Sequence, residues 1–207
     1  MLRVTLVAVC LIAVVVLVAC GGGGDGPNPT PEPTSTPAHT QAPDNTRAGI
    51  PDLDNVLDAL FSGDAAAIQA LVAFTPVPCE IEPIGLGPPP TCRADEPEGT
   101  LVDVFPHAYC EGVYIRPEDM DGRYTSLADP DGVLYAVYHG SESFWPSGEF
   151  VVVFTNRSST RPAIALAATI TDGRIVGSYS GCGGTPEEFV VEFGFASDDI
   201  LVGPLVP

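Results

Sequence analysis

Ile170-Thr171-Asp172-Gly173-Arg174-Ile175-Val176 decides how this chain is read. Asp-Gly between two β-branched runs is the two-residue signal of a type I′ hairpin, because both turn positions need positive φ and the flanking residues favour pleated backbone. The hairpin joins strands expected at 163–171 and 174–179. The same composition, β-branched and aromatic runs bounded by turn residues, predicts further strands at 101–105, 133–139, 149–155 and 188–195. Upstream of them the period changes. Pro51 suits the first position of a helix, and Leu53, Val56, Leu57, Leu60 and Phe61 recur at the spacing that lines one helical face before Gly63 ends it. Asp64 then caps a second helix with Ala67, Ile68, Leu71 and Val72 as its apolar stripe, stopped by Thr75-Pro76. A third helix is expected within 117–127, with Met120, Tyr124 and Leu127 in phase. The stretch 75–99 holds seven prolines and reads as a loop. Two short amphipathic helices need a surface to cover, so the expected class is α+β, a helix pair packed on a curved antiparallel sheet.

The order of elements, together with Leu57-Asp58-Ala59-Leu60-Phe61-Ser62-Gly63-Asp64 and the late hairpin, resembles the nuclear transport factor 2-like superfamily, with its SnoaL-like and ketosteroid isomerase-like members. The resemblance covers most of 50–179. It implies a cone-like sheet wrapped around the helix pair, often with an apolar pocket inside. The proline-rich loop and a strand after Tyr179 depart from that pattern. The superfamily is functionally mixed, so the fold alone does not specify an activity.

The amino-terminal end carries a different kind of signal. One basic residue, Arg3, precedes an apolar run from Val4 to Ala19, and Leu17-Val18-Ala19-Cys20 resembles a bacterial lipobox. The resemblance implies a signal peptide over 1–19, cleavage before Cys20 and a diacylglycerol on its thiol. Two or more acyl chains anchor stably, since each buried methylene contributes about 0.8 kcal/mol. The alternative, an uncleaved transmembrane anchor, is short of the roughly twenty residues needed to span a bilayer. Residues 20–49 continue with four glycines and PNPTPEPTSTPAHTQAP, which reads as a disordered, semi-rigid tether. The domain is then expected over 50–207, placed extracytoplasmically and lipid-anchored to the cell membrane or outer membrane of a bacterium.

Charge narrows the partners. The 207 residues contain 27 acids against eight cations, all arginine, for a formal charge of −19. Losing Arg3 with the leader makes it −20. Such a surface repels nucleic acid and anionic headgroups. With Cys10 in the leader and Cys20 lipidated, Cys79, Cys92, Cys110 and Cys182 remain, an even number that implies disulfides in an exported domain. Cys79 with Cys92 is the first expectation, because the proline-rich segment between them has no regular hydrogen bonding and its closure contributes about 3 kcal/mol. Cys110 with Cys182 follows by elimination. A four-cysteine zinc site lacks the paired spacing such sites use, and neither a metal nor a cofactor is expected.

Two residues are candidates for catalysis. Asp103 shares a strand face with Leu101 and Phe105; if that face is the inner one, a desolvated carboxylate there is a candidate general base, and if Val102 and Val104 face inward instead, Asp103 is solvated. His139 lies on the face of Val133, Tyr135 and Val137 and could transfer protons near neutral pH. His107 follows Phe105-Pro106 in an expected turn. For binding, Tyr138, Phe144 and Trp145 supply aromatic surface, with Trp145 in a Ser- and Gly-flanked loop able to form the lip of a site. Other motifs fail. Gly177-Ser178-Tyr179-Ser180-Gly181 has Tyr where a nucleophile elbow needs Ser. The segments 119–122 and 129–132 lack the third ligand and distal Glu of a calcium loop. The sequence therefore leads to a tethered, non-enzymatic module binding a small apolar ligand or a protein, with an isomerase- or cyclase-type pocket enzyme and a structural envelope lipoprotein as alternatives.

Overall fold

Asp172 and Gly173 have φ of 49° and 66°, as a type I′ turn requires, and Gly173 also brings the turn so close to the first helix that a Cβ there would lie 2.8 Å from that of Asp52. A computed structural model describes residues 46–85, 87–141, 143–155, 164–181 and 184–204. The expected leader, Cys20, most of the tether and Cys182 lie outside the described residues.

The helix pair is α1 (Pro51–Leu60) and α2 (Ala65–Leu71). Pro51 occupies the first turn of α1, where its missing N–H costs nothing. Asp64 caps α2 by accepting from the backbone N–H groups of Ala66 and Ala67. The third expected helix is split: a 3₁₀ turn at Pro117–Asp119, then α3 (Asp121–Leu127), with Met120, Tyr124 and Leu127 buried.

The strands are β1 (Thr75–Pro78), β2 (Leu101–Ala108), β3 (Gly112–Ile115), β4 (Val133–His139), β5 (Phe150–Thr155), β6 (Ala165–Thr171), β7 (Arg174–Ser180) and β8 (Ile200–Val202). They form one open sheet in the order β1-β2-β7-β6-β5-β4-β8, with β3 alongside β2. The expected all-antiparallel sheet is corrected to a mixed one, since β2 meets β7 in parallel at His107–Ser178 and Ala108–Tyr179. Register shifts occur in the β4–β5, β4–β8 and β6–β7 pairs, the local irregularity that bends strands.

Three further expectations need correction. Pro106 does not end β2; it lies opposite Tyr114 of β3, and pairing with β7 begins only at His107, so its missing N–H breaks no ladder bond there. The 75–99 loop begins with β1, whose Val77 lies opposite Val102. The strand expected at 188–195 is instead α4 (Pro186–Glu192). There Thr185 and Glu188 form a reciprocal capping box, with Pro186 in the first turn, and these start signals override the β propensity of Phe189, Val190 and Val191.

Strand alternation divides the core between the two faces of the sheet. One face presents Phe105, Val152, Phe154, Ala168 and Ile170 to α1, α2 and α3. The other presents Ala136, Tyr138, Val151, Val153, Ala167 and Tyr179 to α4 and the 140–148 connection. Val151 to Phe154 are consequently all buried, the pattern of a strand covered on both sides. Val102, Val104 and Cys79 form a separate small cluster beneath the proline-rich segment.

Candidate functional site

The first two candidates do not converge. Asp103 and His139 are both exposed and lie on β2 and β4, which are not neighbours in the sheet. Alternation does put Asp103 on the Phe105 side, but Leu101 on that same side is 66 % exposed, so this end of β2 has no cover. The condition under which Asp103 becomes a desolvated base is not met. His139 sits at the end of β4 with its ring centroid 5.5 Å from that of Phe150.

Two residues beyond Phe105 on the same strand, the histidine assigned to a turn is the buried one. His107 is 4 % exposed. Its Nδ1 lies 2.8 Å from Ser178 Oγ, and its Nε2 lies 3.1 Å from Ser180 Oγ and 3.2 Å from Arg123 Nη1. The arrangement follows from topology: the parallel pairing sets His107 against Ser178, β7 alternation brings Ser180 to the same side, and α3 lowers Arg123 onto the ring. A guanidinium only donates, so Nε2 accepts and the ring proton resides on Nδ1, donated to Ser178 Oγ. Burial, reinforced by the Arg123 charge and only partly opposed by Ser178, lowers the His107 pKa from the usual 6.5 to about 4.

The chemistry this permits is specific. At neutral pH His107 is an uncharged hydrogen-bonding hub. Ser180 and Nε2 have the separation of a nucleophile and its base, yet an imidazolium formed by proton transfer would sit buried beside a cation, and among the described residues no carboxylate hydrogen-bonds to the ring to orient it. Proton abstraction is therefore opposed by the surroundings.

His107, Ser180 and Arg123 line one side of a cavity of about 630 Å³, to which Thr91 and Glu111 add further polar groups. Its other side is the segment Pro88-Pro89-Pro90 together with Tyr109 and Val113 of the β2–β3 hairpin. Several contacts hold the proline wall in place. Cys79 and Cys92 are disulfide-bonded, Cys92 N–H donates to Glu80 O at 2.9 Å, and Arg116 pairs with Glu96 at 2.7 Å. The guanidinium holds the Glu96 carboxyl well below its ordinary 4.5, at about 2, and Glu96 in turn raises the pKa of Arg116. Arg93 makes a further ion pair with Glu118.

The hairpin tip, residues 109–112, separates this cavity from a second one of about 340 Å³ lined by Trp145, Tyr179, Phe189 and Phe193. Of the aromatic binding candidates, Trp145 is 38 % exposed, with its ring edge-on to Tyr114 at 5.7 Å. A Cβ at Gly112 would come within 2.7 Å of the Trp145 ring, so the glycine makes room for it. Phe144 and Tyr138 are core residues. Phe144 packs among Tyr179, Phe189, Phe193 and Phe195 at 4.9–6.1 Å, and burial pushes the Tyr138 hydroxyl up to about 12.

Cys110, at the hairpin tip, is also disulfide-bonded; Cys182, its expected partner, lies outside the described residues. Among the described residues no cluster of His, Cys, Asp and Glu could hold a metal, and no helix is long and apolar enough to cross a membrane. No family model matches the chain, and no curated protein or solved structure matches it.

Proposed function

We propose that this protein is an extracytoplasmic lipoprotein, anchored through Cys20, whose domain is a small-molecule-binding module related to the nuclear transport factor 2-like superfamily. The cavity of about 630 Å³ beside His107 carries the binding reading, because its size is that of pockets that enclose small ligands and its wall is fastened by a disulfide and two ion pairs. The helix pair on one face of a mostly antiparallel sheet with local register shifts supports the superfamily reading, while α4 and the proline wall are additions to its usual plan. The low proton affinity of His107 favours binding over isomerase-type chemistry. A structural envelope role needs no fastened cavity.

Two measurements test the proposal. In detergent phase separation the full chain made in a bacterial host is expected in the detergent phase and Cys20→Ala in the aqueous phase; equal partition of the two abolishes the anchor. In NMR spectra of the domain, a panel of small neutral and charged aromatic compounds is expected to include members that shift the amides of Tyr109, Gly112 and Val113 together. A panel that leaves all three unmoved removes the binding site.

A further inference from the structure

We infer that the His107 cavity is built for a ligand bearing a carboxylate on an apolar body, with Arg123 and Ser180 as the groups that receive the charge; this rests on the binding reading above. The first observation is an imbalance of donors and acceptors. His107 Nε2 has one lone pair, and Arg123 Nη1 and Ser180 Oγ both approach it, at 3.2 and 3.1 Å. One lone pair cannot fully satisfy two donors. Moving the ring proton to Nε2 makes matters worse, because an N–H then faces the guanidinium. In either tautomer the exposed guanidinium and the half-exposed hydroxyl keep donor capacity that the imidazole does not fill and that is open to the cavity side.

The second observation is charge. Among the described residues, Arg47, Arg93 and Arg116 are each paired with a carboxylate, and Arg174 donates to the Val72 carbonyl at 2.7 Å. Arg123 instead rests on a neutral imidazole, in a chain with 27 acids to choose from. It is exposed and lines the cavity, so a ligand that enters can reach it. A planar guanidinium offers a carboxylate two parallel hydrogen bonds, and a hydroxyl beside it can rotate from Nε2 to supply a third.

The rest of the wall fixes the ligand's other end. Pro88 to Pro90, Val113 and the Tyr109 ring are apolar, and suit a ring or short hydrocarbon body. Glu111, at the hairpin tip, also lines the cavity, so a carboxylate placed near the tip is repelled and the charge is directed toward Arg123. The acidic surface repels anions in general, which leaves the local donor pair as the selecting feature.

Benzoate and its neutral isostere benzamide test this by NMR titration of the wild-type domain, Arg123→Gln and Arg123→Lys. Benzoate is expected to shift the Tyr109, Gly112 and Ser180 amides and to bind roughly tenfold tighter than benzamide, with the preference lost in Arg123→Gln and partly kept in Arg123→Lys. Unchanged amide dispersion elsewhere verifies that each variant is folded. Benzamide binding as tightly as benzoate, or a benzoate preference that survives Arg123→Gln, overturns the carboxylate inference while leaving the cavity a binding site. Failure of both compounds to shift these amides overturns the two together.

Discussion

The two faces of the sheet are built from different materials and in different ways. The α1–α3 face is mainly aliphatic, with Phe105, Tyr124 and Phe154 among its buried residues, and its cover comes from helices whose apolar residues recur within a few positions of one another. The α4 face is rich in aromatics, where Tyr179 of the sheet meets Phe144, Phe189, Phe193 and Phe195, so that the rings come from three separate stretches of chain. A helical stripe can be recognised locally, whereas an aromatic cluster of this kind exists only after folding. The polar site lies where the aliphatic face ends: Phe105 belongs to the core and His107, next on that side, to the cavity.

The largest effect is expected from cutting the aromatic cluster at its centre. Phe189 is 2 % exposed and touches Phe144, Tyr179, Phe193 and Phe195, so Phe189→Ala should cost about 3–5 kcal/mol, against about 2–5 for Leu57→Ala on the opposite face. If the faces are one cooperative core, near-ultraviolet and far-ultraviolet dichroism of each variant will lose signal at the same denaturant concentration. Separate transitions would show instead that the aromatic face unfolds independently.

The polar end of the aliphatic face should declare itself in acid. Because the folded-state pKa of His107 is depressed, the unfolded chain takes up the proton first; stability is complete above the ordinary 6.5 and declines as pH falls to about 4. The decline is on the order of 3 kcal/mol. The contribution of the Glu96–Arg116 pair is lost lower, as pH falls from 4.5 toward 2. Urea titrations of His107→Gln should therefore be flatter than wild type between the two His107 values, and a parallel decline would mean that another group titrates there.

The smallest change sharpens the account of α4. Thr185→Ala removes one half of the capping box and should cost about 1 kcal/mol while leaving the aliphatic face intact. Faster amide exchange confined to 186–195 is the expected signature; uniform acceleration across the sheet would tie α4 to the whole fold.

What the sequence revealed follows the same division. The Leu53–Phe61 spacing, the Asp64 cap, the Asp172-Gly173 turn and the proline segment between Cys79 and Cys92 are local signals, and the elements they mark are present. The start of α4 was also legible in Thr185-Pro186-Glu187-Glu188, but the following Phe-Val-Val run carries β propensity and drew the strand reading. Pro106 hid the rest of β2, and with it His107. The site itself had no local signature, since His107 meets Ser178 and Ser180 across separations of 71 and 73 residues, through a pairing that depends on the parallel register of β2 and β7.

The two ends of the sheet carry a consequence for chains held side by side at high density. Just after β1 the N–H of Cys79 points inward to Thr100, so by alternation the positions of β1 that point outward are Pro76 and Pro78, which have no N–H to offer. At the far end β8 is three residues long and is followed by Gly203-Pro204. Among the described residues these two borders offer few free N–H groups to a further strand, which disfavours backbone pairing between neighbouring copies there. The prolines that concealed a strand from the sequence reading also leave that border without outward N–H groups.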